Sequence, residues 1–109
     1  MLHKITMKHW GMEIEMVNTQ FYCWKILLCV HRRWSSFGKF HFHKIKDETF
    51  YIVRGQLELN VENTTYILNP KDMIRVKPFH PHKFRSVAHS CVFYEISTHH
   101  SDEDSIRTL

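Results

Sequence analysis

The chain has 109 residues, fifteen Lys and Arg against eleven Asp and Glu, and a formal net charge of +4. With 43% hydrophobic residues it forms one domain whose core needs no covalent staple. No apolar run reaches the ~18 residues of a membrane span, and the N-terminus, with Lys4, Lys8, His9 and Glu13, lacks the apolar stretch of a signal peptide.

Nearly every segment predicts a strand. Glu13 to Val17 is short, and Phe21 to Val30 is a long apolar run rich in aromatic and β-branched residues. Phe37 to His43 alternates aromatic, small and histidine side chains, and Thr49 to Val53 is a further run closed by Arg54-Gly55. Gln56 to Glu62 alternates polar and apolar with period two, the mark of a half-buried strand. Asn63-Thr64 turns the chain into Thr65 to Leu68, and Asn69-Pro70-Lys71-Asp72 is a second turn. Met73 to Val76, His82 to Val87 and Cys91 to Thr98 supply three more strands. Ser101 to Leu109 is a polar tail, expected as a short helix or a surface wrap around a strand core of about residues 13–98. Some eight strands with regular turns indicate a single all-β domain, a sandwich or a barrel.

The three cysteines, Cys23, Cys29 and Cys91, form no CxxC pair and lie in apolar runs. They read as buried thiols of a protein in a reducing, cytoplasmic compartment.

Chemistry concentrates in His41-Phe42-His43-Lys44-Ile45-Lys46-Asp47-Glu48. Residues two apart on a strand share a face, so His41 and His43 present two imidazoles together. Glu48 follows at the right distance to open an antiparallel neighbour, and His82 begins another strand far downstream. Three imidazoles and a carboxylate suit a divalent transition metal with positions left open for water or substrate. His80 shares the parity of His82 but reads as a loop residue at the rim. His99 and His100 read as a solvated pair at a strand end. Parity turns Phe84 inward and Lys83, Arg85, Phe40 and Phe42 outward. His31-Arg32-Arg33-Trp34 is the one basic, aromatic cluster, too short to predict nucleic-acid binding.

The spacing His41, His43, Glu48, Gly55 resembles the first motif of the cupin superfamily, and Lys71-Asp72 with Lys77-Pro78-Phe79-His80-Pro81-His82-Lys83-Phe84 resembles the second. Ser35, Lys71 and Phe79 stand where those motifs carry glycine. The resemblance implies a double-stranded β-helix (jelly-roll) barrel with His41, His43, Glu48 and His82 around a metal, Zn, Mn, Fe or Ni, and commonly a homodimer. Trp10-Gly11 with Glu13, and Glu95-Ile96-Ser97-Thr98 followed by Asp102 to Arg107, further resemble the cupin domain of type II mannose-6-phosphate isomerases. Related stand-alone small cupins share that ending.

That likeness implies isomerisation of a sugar or sugar phosphate through a metal-stabilised enediolate, with Lys46, Glu95 and Arg107 as the candidate catalytic residues. A non-catalytic metal- or sugar-binding cupin and an Fe(II)-dependent dioxygenase are the alternatives. A small molecule is the expected partner. Parity leaves open whether Glu95 faces inward.

Overall fold

The computed structural model describes residues 3–108. Two antiparallel sheets face each other. One holds β1 (Lys4–Lys8), β2 (Gly11–Asn18), β3 (Cys23–Val30), β10 (Ser90–Ser97), β5 (Glu48–Arg54) and β8 (Met73–Val76), in that spatial order. The other runs β11 (Ser105–Arg107), β4 (His41–His43), β9 (His82–Ser86), β6 (Leu57–Val61) and β7 (Thr64–Leu68). The chain crosses repeatedly between the sheets, giving the double-stranded β-helix that the strand pattern and motifs imply.

Alternation along the strands builds the core. Cys23, Lys25, Leu27 and Cys29 of β3 point inward, as do Cys91, Phe93, Glu95 and Ser97 of β10. Phe84 is 4% exposed and meets Trp10, Phe93 and Phe50 edge-on at 5.1, 5.3 and 6.2 Å between ring centroids. Burying such rings supplies the largest apolar areas in a small domain. The three cysteines are free and buried. Gly55 lies at φ +77°, and a Cβ there would stand 2.4 Å from the Ser90 carbonyl oxygen, so the close pass of β5's end over β10 requires glycine.

Several sequence expectations are corrected. Lys4–Lys8 is a strand that no periodicity announced, held by pairing with Gly11–Glu15. The long apolar run starts its strand at Cys23, because Thr19 Oγ1 accepts the N–H groups of Phe21 and Tyr22 in a turn. Residues 37–43 are not one strand: Ser35–Gly38 is a 3₁₀ turn with Ser36 and Phe37 in left-handed conformations, and only His41–His43 pairs. The His9 ring fixes that turn, accepting the Phe37 N–H at 3.1 Å and stacking on the Phe37 ring at 3.5 Å. The tail is neither a helix nor a loose wrap. A single 3₁₀ turn, Asp102–Asp104, leads into β11, which adds to the free edge of β4 with Arg107 opposite His41. The sheets thus take in strands on both sides of residues 13–98.

Lys83 and Arg85 face outward as parity requires. The Lys83 Nζ and the Arg85 guanidinium each lie 4.3 Å from the Trp34 ring, so the aromatic of the basic cluster is engaged within the fold. Phe42, also outward, is shielded by Phe79 at 6.3 Å.

Candidate metal centre

Register alone brings the histidines together. β4 pairs with β9 through His41 opposite His82, and His43 lies two residues along the same face of β4. One ring nitrogen from each of His41, His43 and His82 falls within 4.8 Å of the others. Glu48 opens β5 across the barrel. Its Oε1 is 3.1 Å from His82 Nε2 and its Oε2 3.4 Å from His43 Nε2. All four predicted ligands therefore converge, with Glu48 touching two of the three imidazoles.

Their hydrogen bonding suits a cation. His82 Nδ1 contacts the His80 carbonyl oxygen at 2.9 Å, an oxygen that only accepts, so Nδ1 carries a proton and Nε2 is the nitrogen left to face Glu48. Among the described residues, Glu48 Oε2 and Nδ1 of His41 and His43 are buried without a hydrogen-bond partner. Each such orphan costs about 1–3 kcal/mol, and a cation would relieve those aimed at it. Burial drives the His41 pKa down to about 2, with His82 and His43 adding to the effect. Burial likewise lowers His43 despite the facing Glu48 carboxylate. At His82 burial also opposes the charge, but Glu48 outweighs it and raises the pKa. A metal would displace that proton. Three imidazoles beside one carboxylate are the donor set expected of a zinc, manganese, iron or nickel site.

His41 and His43 open onto a cleft of about 490 Å³ lined also by Glu13, Lys25, Lys46, Glu95 and His100, while His82 and Glu48 stay buried outside its lining. Glu95 faces inward on β10, between Lys25 and Phe50 on the flanking strands. Lys46 Nζ donates to Glu95 Oε2 at 2.6 Å and lies 3.7 Å from Glu48 Oε2. Burial resists charging both, yet their mutual attraction raises the Lys46 pKa and lowers that of Glu95. The pair is therefore an ammonium and a carboxylate at neutral pH. Arg107 lines the mouth of the cleft from β11. The three candidate catalytic residues thus share one cavity with His41 and His43.

Two members escaped the sequence. Lys25 sits inside an apolar run, 4% exposed, with Nζ 3.6 Å from Glu13 Oε2; its even spacing from Cys23 and Leu27 was the available signal. His100 is not a solvated residue. Its Nδ1 lies 3.1 Å from Lys46 Nζ and its Nε2 2.8 Å from Asp102 Oδ1. His99 turns away to the Thr19 carbonyl, and His80 pairs with Glu62 at 2.9 Å on the exterior. Neither belongs to the centre.

Comparisons with known proteins agree with this architecture. No curated protein matches the sequence. KdgF from Halomonas sp. superposes with a TM-score of 0.80 at 16% identity, over 93% of this chain and 92% of that one. Streptomyces PAC13, in a variant with uridine, gives a TM-score of 0.82 at 14% identity, over 98% of this chain and 85% of that one. The capsular polysaccharide assembling protein CapF of Staphylococcus aureus gives 0.82 at 13% identity, covering 96% of this chain but 34% of that one. At these identities the likeness concerns the fold. Residues 34–97, spanning the two histidine-bearing motifs, match the Cupin domain family, and the chain belongs to it.

Proposed function

We propose that this chain is a metal-dependent isomerase that interconverts the aldose and ketose forms of a small sugar or sugar phosphate. The observation that carries the reading is a cleft lined by His41, His43 and the buried Lys46–Glu95 ion pair, with buried His82 completing the three-imidazole set. His41, His43 and His82 would hold a divalent transition metal through ring nitrogens, with Glu48 as the fourth ligand. Such an ion supplies Lewis-acid polarisation of a carbonyl and its neighbouring hydroxyl, acidifying the C–H between them.

The remaining steps belong to side chains. Glu95, held ionised by Lys46, takes the proton from one carbon and returns it to the next. The Lys46 ammonium donates to the oxygen on which negative charge accumulates. Arg107, at the mouth, binds the outer oxygens of the substrate, a phosphate included. The fold likeness to a capsular polysaccharide assembling protein agrees with a carbohydrate ligand. The three free thiols suit the cytoplasm.

A homodimer completes the reading. The outer face of the larger sheet carries Trp24, Tyr51 and Tyr94 in contact, with Met73 and Ile96 67% and 50% exposed beside them, a face that a second copy would cover. Light scattering should give twice the 13.3 kDa chain mass; the mass of a single chain would contradict it.

Turnover decides the chemistry. The metal-loaded protein, given a panel of aldoses and their phosphates, should convert at least one. Glu95→Gln should lose on the order of 10²-fold or more in rate while keeping its metal. Unchanged turnover in that variant would remove Glu95 from the mechanism. Bound iron with O₂ uptake and no sugar conversion would replace the isomerase by oxygen chemistry, and metal with neither activity would leave a binding protein.

A further inference from the structure

We infer that the tail segment from His100 to Asp104 sets the position of Lys46, with His100 as a positioning residue that holds the Lys46 ammonium on Glu95 and away from Glu48. The consequence for turnover rests on the isomerase reading; the geometry does not.

Lys46 is gripped at both ends by this segment. Its backbone N–H, with those of Lys44 and Ile45, donates to the Asp104 carboxylate at 2.9, 2.9 and 3.0 Å. At the other end its Nζ meets Glu95 Oε2 at 2.6 Å and His100 Nδ1 at 3.1 Å. An ammonium only donates, so His100 Nδ1 is the acceptor and Nε2 carries the proton, which it gives to Asp102 Oδ1 at 2.8 Å. His100 is itself fixed, for Asn18 accepts its N–H at 3.0 Å and donates to its carbonyl at 3.1 Å. Burial, with the charges of Lys46 and Lys25, lowers the His100 pKa against the pull of Asp102, favouring the neutral acceptor.

Two carboxylates compete for this ammonium, Glu95 at 2.6 Å and Glu48 at 3.7 Å. An acceptor on the Glu95 side directs a second N–H of the same Nζ and so opposes a swing toward Glu48. With His100 gone, an ammonium drawn onto Glu48 would occupy the carboxylate that the metal needs. His100 thereby separates the proton-handling pair from the ligand set without touching either the metal ligands or the reacting atoms.

Ammonium-selective ¹H–¹⁵N NMR of the ¹⁵N-labelled full chain tests this directly, with Lys46→Arg assigning the signal. Wild type and His100→Gln, which keeps an acceptor within reach, should show a protected Lys46 ammonium at the same shift; in His100→Leu that resonance should move as the ammonium turns from Glu95 toward Glu48. Zinc affinity should fall severalfold in His100→Leu and recover in His100→Gln, and kcat should follow with KM little changed. A wild-type Lys46 signal in His100→Leu would overturn the inference. If His100→Leu does not fold, His100→Asn, one methylene shorter than Gln, takes its place and must show the moved resonance. Absence of sugar turnover in the wild type would refute the isomerase reading while the ammonium signal still decides this one.

Discussion

Lys71 and Phe79 occupy left-handed backbone conformations, at φ 77° and 66°, at the two positions where the second cupin motif carries glycine. A side chain in that region costs roughly 1–2 kcal/mol. Lys71 is tolerated because the turn around it is closed by its N–H to the Ile52 carbonyl at 2.8 Å and by Asp72 N–H to Asn69. Its side chain is exposed, so Lys71→Gly should raise stability by about 1 kcal/mol, the strain relieved exceeding the entropy gained by the unfolded chain. Urea midpoints measure this, and a lower midpoint in the variant would contradict it. At this scale His41, His43, His82 and Phe84 were legible, since each lies where parity and spacing are unambiguous. Glu95 was not, because β10 carries apolar residues on both faces, Cys91 and Phe93 on one and Val92, Tyr94 and Ile96 on the other, so its unbroken alternation does not say which face is inward. His100 lies beyond the last regular alternation, so no period predicts its direction.

The tail shows how an element with little sequence signal is built by others. Its 3₁₀ turn puts Asp104 under the loop between β4 and β5, where one carboxylate accepts three successive backbone N–H groups. Burial would raise the Asp104 pKa, but those donors outweigh it and hold the pKa below the usual 3.8. The sign follows from that direction. An acid with a depressed folded-state pKa stabilises the fold above its unfolded pKa, and that contribution vanishes as pH falls through the folded value. Asp104→Asn should therefore cost about 2 kcal/mol at pH 7, with the gap from wild type closing as the medium is acidified below pH 4. Urea unfolding across pH 7 to 3 reads the gap; a pH-independent difference would show that the charge has no part in it. The strands were largely readable because half-buried sheets alternate. Lys4–Lys8 and Ser105–Arg107 were not, because both lie at sheet edges where pairing, rather than an apolar face, fixes the strand.

Two facing sheets, of six and five strands among the described residues, create the interior in which these parts meet. The same barrel is apolar around Phe50, Phe84 and Phe93 and ionisable around His43, Lys46, Glu48 and Glu95, all of them buried. Buried charges of this kind persist only when paired, hydrogen-bonded or bound to metal. Lys46 has Glu95 and His82 faces Glu48, whose Oε2 has no hydrogen-bond partner among the described residues. All three members of the histidine cluster could be named from the sequence because each motif is local. The cleft joining them to Lys25 and His100 is a product of the whole fold, which brings β3, β10 and the tail together. The central claim is that His41, His43 and His82 hold a divalent metal. It is tested most directly by anomalous diffraction at the metal edge from crystals of the metal-loaded protein. The account predicts one peak about 2.0–2.2 Å from a nitrogen of each imidazole, abolished in His82→Ala. A peak elsewhere, or none after loading with zinc, manganese, iron and nickel in turn, would contradict it.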